Sequence, residues 1–143
     1  MSIFKGCILP SALFALFMLP GAAGAVQDQP VTLNGVEMVC TGVGSAKDDP
    51  RWQDYPVKIV LATTNGANLA NAHFTLTESG KTVAETDCDA PWLLFKLPAG
   101  NYSATATLNG TPARTQKIDF KTDGDGPQQE LTIQFPPPDR PRD

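Results

Sequence analysis

Period-two alternation of apolar and polar residues is the strongest signal along the chain. Tyr102, Ala104, Ala106 and Leu108 alternate with Ser103, Thr105 and Thr107. Ile118 and Phe120 alternate with Lys117, Asp119 and Lys121, and Leu131, Ile133 and Phe135 with Glu130, Thr132 and Gln134. Phe74 and Leu76 do the same between His73, Thr75 and Thr77. Successive strand side chains face opposite sides, so each set predicts a strand with one face in a core. The run from Pro56 to Ala62 is β-branched and apolar, which predicts a central strand with Ile59 and Leu61 inward. Pro91 to Phe95 predicts a short apolar strand. Val31 to Leu33 and Val36 to Thr41 read as extended, with Asn34-Gly35 as a turn or bulge between them. Ser79-Gly80 folds the His73 strand onto Lys81–Glu85 as a hairpin, and Asn109-Gly110 signals a two-residue hairpin. Short strands punctuated by Gly, Pro and Asn-Gly predict an all-β sandwich, with an up-and-down barrel as the alternative.

The first 25 residues stand outside this pattern. Lys5 precedes an apolar stretch from Cys7 to Leu19, and Ala23-Gly24-Ala25 follows. A charged start, a short apolar run and a small-x-small end predict a secretory signal peptide over 1–25, cleaved after Ala25. The apolar run falls short of the roughly 20 residues that a membrane anchor needs. Removing 25 of the 143 residues leaves 118, one domain's worth of chain. The predicted organisation is a sandwich over 26–135 and a disordered, proline-rich tail over 136–143. The localisation that follows is periplasmic or secreted, with no membrane span in the mature chain.

Charge narrows the partners. With Lys5 gone, 10 basic and 15 acidic side chains remain, and Lys and Arg are nowhere clustered. This argues against nucleic acid and against an anionic membrane surface, both of which require clustered cations. Loss of Cys7 leaves Cys40 and Cys88. In an exported chain these predict one disulfide, with two separate buried thiols as the alternative. The bridge would close a loop of about 49 residues, worth on the order of 4 kcal/mol in the chain-entropy picture.

Candidate chemistry is sparse. His73 is the only histidine, and its place beside Phe74 in a strand turns it toward solvent rather than into a catalytic set. Asp48, Asp49 and Asp54, Asp87 with Asp89, and Asp123 with Asp125 supply oxygen ligands of a calcium-binding type, yet ordinary turns explain all three groups. No metal site, cofactor or catalytic residue is assigned, and the chain is not read as an enzyme. The irregular stretch from Gly42 to Tyr55 carries Arg51, Trp52 and Tyr55. These residue types are enriched at interface hot spots, which makes the loop a candidate partner-binding surface. The competing reading folds the aromatics back to cap one end of the sandwich. Trp92 is placed in the core.

The run Leu97-Pro98-Ala99-Gly100-Asn101-Tyr102 resembles the L-P-x-G-x-Y corner of carboxypeptidase regulatory-like domains. Gly66 through Leu69, Ala72 and Phe74 to Leu76 is similar to that family's "G-x-x-L-x-x-A-x-V-x-L" strand. The resemblance spans roughly Val57 to Phe135 and implies a single immunoglobulin-like or transthyretin-like antiparallel sandwich of about seven strands. The Cys40 and Cys88 pair and the Asp49–Trp52 loop depart from the family pattern. Leu97, Pro98, Gly100 and Tyr102 take structural roles: Pro98 fixes φ, Gly100 permits positive φ, and the Tyr102 hydroxyl meets a backbone carbonyl. The functional expectation is an exported, non-catalytic binding or accessory module of the cell envelope with a protein or glycan partner. A small-molecule or calcium-binding carrier is the alternative, and an enzyme with an unrecognised site ranks below it.

Overall fold

A computed structural model describes residues 27–137. The signal peptide and cleavage point expected from the sequence lie outside the described residues, as does the predicted tail from 138 onward. Among the described residues there are nine strands: β1 Val31–Leu33, β2 Val36–Thr41, β3 Val57–Thr63, β4 Ala72–Glu78, β5 Lys81–Cys88, β6 Trp92–Lys96, β7 Gly100–Leu108, β8 Thr115–Thr122 and β9 Gln129–Phe135. They form a two-sheet sandwich, one sheet in the order β1-β2-β6-β3-β9 and the other β5-β4-β7-β8.

The strand count exceeds the expected seven or so; Asn34 (φ 49°) and Gly35 (φ 81°) turn sharply enough to close the short β1 onto β2 as a hairpin. The sheets are also not wholly antiparallel. After β8 the chain crosses to the other sheet through 123–128 and enters beside the start of β3. β9 therefore runs parallel to β3, from Val57↔Gln129 to Thr63↔Phe135. The Asn109-Gly110 turn does not close a two-residue hairpin. Both residues take positive φ, but the 3-10 turn Pro112–Arg114 follows before β8 begins.

The core lies between the sheets, and the alternating sets define it. Ile59, Leu61, Phe74, Leu76, Tyr102, Ala104, Ala106, Leu108, Phe120, Ile133 and Phe135 are all buried there, with Ile118 and Leu131 partly buried against it. Phe74 and Phe95 stack across the sheets at 5.4 Å. The Cys40–Cys88 disulfide is buried and joins β2 of one sheet to β5 of the other across a Cα–Cα distance of 5.7 Å. That separation lies in the range a disulfide requires.

Trp92 corrects its sequence assignment. Leu93 and Phe95 take the inward positions of β6, so Trp92 falls on the outer face, partly exposed, with the Lys58 ammonium 3.5 Å from its ring centroid. Gly42 (φ 111°) lies against the ring, where a Cβ would come within 2.6 Å of Trp92 Cγ.

Candidate functional site

The Gly42–Tyr55 segment winds into two 3-10 turns, Gly44–Asp48 and Pro50–Asp54. Asp49 caps the second: its carboxylate accepts from the Arg51 backbone N–H at 2.9 Å, and Pro50 follows at the first helical position. The same carboxylate takes the Arg51 guanidinium at 2.7 Å. This contact holds the Asp49 carboxyl below the usual carboxylate range. Trp52 and Tyr55, each 3% exposed, turn inward onto Val39 and Leu94 and meet edge to face at 6.1 Å. The Trp52 indole N–H donates to the Ala46 carbonyl at 2.6 Å. Burial, and then the Glu37 carboxylate, push the Tyr55 phenol up. The aromatics thus cover the outer face of the five-stranded sheet rather than one end of the sandwich. Of the three loop candidates, Arg51 alone remains exposed, lying over the Trp52 ring at 4.9 Å. Gln128, which the sequence did not single out, locks the arrangement by donating to the Trp52 and Tyr55 carbonyls at 2.8 and 3.0 Å.

At one end of the sandwich the corner is built as its residues require. Leu97 is buried, and the Tyr102 hydroxyl donates to the Pro98 carbonyl at 2.8 Å. The Tyr102 phenol is pushed up to about 12, by burial first and then by the neighbouring Glu78 carboxylate. Gly100 does not take the positive φ expected of it. Its bareness serves packing instead, since a Cβ there would sit 3.4 Å from the Tyr102 ring and 3.5 Å from Glu78 Oε2. The left-handed glycine at the corner is Gly124 (φ 81°), contributed by the β8–β9 turn, where a Cβ would lie 2.8 Å from the Ala99 backbone nitrogen. The sequence marks this stretch as an ordinary turn, with calcium binding as the lesser reading, and does not connect it to the corner.

Beside the corner opens a cleft of about 530 Å³. The β1–β2 turn supplies Asn34 and Val36, the β4–β5 hairpin supplies Glu78 and Lys81 to Val83, and the corner supplies Pro98 and Tyr102. Glu78 and Lys81 are register partners at the hairpin end, yet neither forms an ion pair among the described residues. The cleft therefore presents a carboxylate, beside the Tyr102 phenol, and an ammonium, neither ion-paired among the described residues, next to apolar walls from Val36, Val83 and Pro98.

His73 lies on the outer face of the four-stranded sheet, as expected. Its Nδ1 is 2.8 Å from Asp87 and its Nε2 2.8 Å from Glu85. Two acceptors flanking one ring favour the doubly protonated imidazolium, and these bonds, Asp87 first, raise its pKa. Both ring nitrogens are thereby engaged by carboxylates. Among the described residues no three His, Cys, Asp or Glu side chains converge as metal ligands. No helix among them is long and apolar enough to cross a membrane.

No family model matches the chain. No curated protein matches it either. Among solved structures, the 5-hydroxyisourate hydrolase of Klebsiella pneumoniae is similar at 18% identity and a TM-score of 0.41, over 57% of this chain and 89% of that one. A likeness at this level carries neither family membership nor chemistry to the present chain.

Proposed function

We propose that this protein is an exported, non-catalytic binding or accessory module of the cell envelope, built as a carboxypeptidase regulatory-like variant of the transthyretin-like sandwich. The corner-end cleft is its binding site, and a protein or glycan is its partner. One observation carries the reading: three turns hold Glu78 and Lys81, opposite in charge and without ion pairs among the described residues, on a concave wall. Convergent polar groups on a mostly pre-formed, partly apolar concavity are the usual form of a binding site. The leader-like first 25 residues and the buried inter-sheet disulfide support export, since disulfides persist in oxidising compartments.

The test is affinity capture from the envelope fraction with the tagged protein and with a Glu78→Lys/Lys81→Glu charge swap as parallel bait. A partner held by the native protein and lost by the swap supports the reading. A partner held equally by both moves binding away from the cleft and overturns it. The cleft volume of about 530 Å³ also lies in the range of small-molecule sites, which keeps the carrier reading in view. A ligand that binds only the folded state raises Tm, so a thermal-shift screen of zwitterionic metabolites, with the swap as control, separates the two readings.

A further inference from the structure

The sandwich has four sheet edges, and three are visibly blunted. β1 is only three residues long and follows Pro30. The β4–β5 ladder breaks register between Leu76 and Thr77, and the disulfide ties the end of β5 to β2. β9 runs straight into Pro136 and Pro137. Short length, irregularity and proline keep a second backbone from pairing, and charged side chains, lysine above all, restrict which strand can pair. β8 has no proline, bulge or truncation within it, and its only restriction is the charge of Lys117, Asp119 and Lys121. It pairs with β7 without a bulge over eight residues, from Gly100↔Thr122 to Thr107↔Thr115, and no strand pairs with its other side among the described residues.

β8 and β9 form the two rims of one side of the sandwich, in contact but without a shared ladder. The core is incompletely covered between them: Ile118 and Leu131 are partly buried, whereas Phe120, Ile133 and Phe135 are buried. On the solvent face of β8, Lys117 reaches Asp119 only at 3.8 Å, and Lys121 has no ion pair among the described residues.

We propose that β8 is a docking edge for an extended polypeptide segment of a partner, in which apolar residues alternate with acidic ones. The main chain of that segment would continue the four-stranded sheet, the mode in which backbone hydrogen bonds supply affinity and alternate side chains supply specificity. Its apolar side chains, all on one face by the two-residue period, would close the gap over Ile118 and Leu131. Its carboxylates, on the other face, would stand beside Lys117 and Lys121, where opposite charges across a ladder are favourable. This surface is separate from the cleft, so either can fail without the other.

The probe is a fluorescein-labelled, end-capped octapeptide of alternating Val and Glu, with a Val and Lys octapeptide as its counterpart. Anisotropy is measured against the intact protein, and amide hydrogen exchange locates the contact. The expected result is saturable binding of the acidic peptide only, with new protection at Thr115–Thr122. A Lys117→Glu/Lys121→Glu variant should lose at least tenfold in affinity, and the milder Lys117→Gln/Lys121→Gln variant should fall between. Binding of neither peptide at millimolar concentration overturns the proposal. So does equal binding of both peptides, or protection that appears on β5 instead. Concentration-dependent protection of β8 without peptide would make this edge an interface between copies of the chain, which also overturns it.

Discussion

Phe120→Ala measured against Lys121→Ala tests the register on which the fold rests. Phe120 is 9% exposed, on the inner face of β8, and stacks on Tyr102 at 5.7 Å. Lys121, one residue on, points outward and forms no ion pair among the described residues. Truncating a buried Phe costs about 3–5 kcal/mol through lost transfer energy and the cavity left behind. The lost aromatic pair lies within that figure and is worth about 0.5–1.5 kcal/mol. Phe120 sits on an edge strand and lines an open concavity with Ser103 and Asp119, so water can fill part of the vacated space. The lower end, about 3 kcal/mol, is therefore expected. Lys121→Ala should cost under about 0.5 kcal/mol, as surface changes do. Urea unfolding of the two variants beside the native protein decides the matter, with unchanged slopes showing that stability alone has moved. Small and equal losses would mean that Phe120 faces water and that β8 is out of register, because a slip of one residue exchanges the two faces of a strand.

Three further outcomes are expected. Replacing Cys40 and Cys88 with Ala should lower stability by about 2–5 kcal/mol, as loss of a native disulfide does in small secreted domains; unfolding with and without reductant should show the same loss in the native protein only. Gly124→Ala combines a positive φ with a Cβ placed 2.8 Å from the Ala99 nitrogen, whereas Gly66→Ala (φ 88°) meets nothing within 4 Å. Both pay for the left-handed backbone, so Gly124→Ala should exceed Gly66→Ala by roughly 1–3 kcal/mol, the scale of overpacking, in parallel thermal melts. For His73, the folded pKa is raised by Asp87 and then Glu85. Its contribution is therefore complete below the unfolded value near 6.5 and is lost as pH rises through the folded value. The side chain is 44% exposed, so solvent screening holds the effect below about 1 kcal/mol. Urea midpoints should fall between pH 6 and pH 9 in the native protein and more weakly in His73→Gln.

Alternation made the inner faces legible because burial between two sheets imposes a period of two on every strand. The inward residues of β4, β7, β8 and β9 follow from that period alone, and the buried residues match them. Outer faces impose no such rule, and Trp92 shows the consequence. Its apolar character suggests the core, but its parity in β6 opposes Leu93 and Phe95, and parity prevails. The parallel pairing of β9 was equally hidden, since it depends on where the chain crosses between sheets and not on any local residue. The cleft was unreadable for a similar reason. Glu78 and Lys81 look like ordinary hairpin-tip charges until the β1–β2 turn, some 45 residues away, closes over them.

One signal for the covered outer face was nevertheless in the sequence. Trp92, Leu93, Leu94 and Phe95 are four consecutive apolar residues, and Leu93, Leu94 and Phe95 are all fully buried. A strand with one wet face would alternate, so an unbroken run implies cover on both sides. The opposite sheet provides one cover. The second has to come from a segment that is not a strand yet carries large apolar side chains, and Gly42–Tyr55, with Trp52 and Tyr55, is the irregular stretch that does so. Burying each ring contributes about 1.5–3 kcal/mol, and the Gln128 hydrogen bonds to the Trp52 and Tyr55 carbonyls add to the hold on the loop. The aromatics that look like an exposed binding patch in sequence are thereby committed to the fold. The two surfaces proposed for recognition draw instead on charges without ion pairs among the described residues, Glu78 and Lys81 in the cleft and Lys121 on the β8 edge.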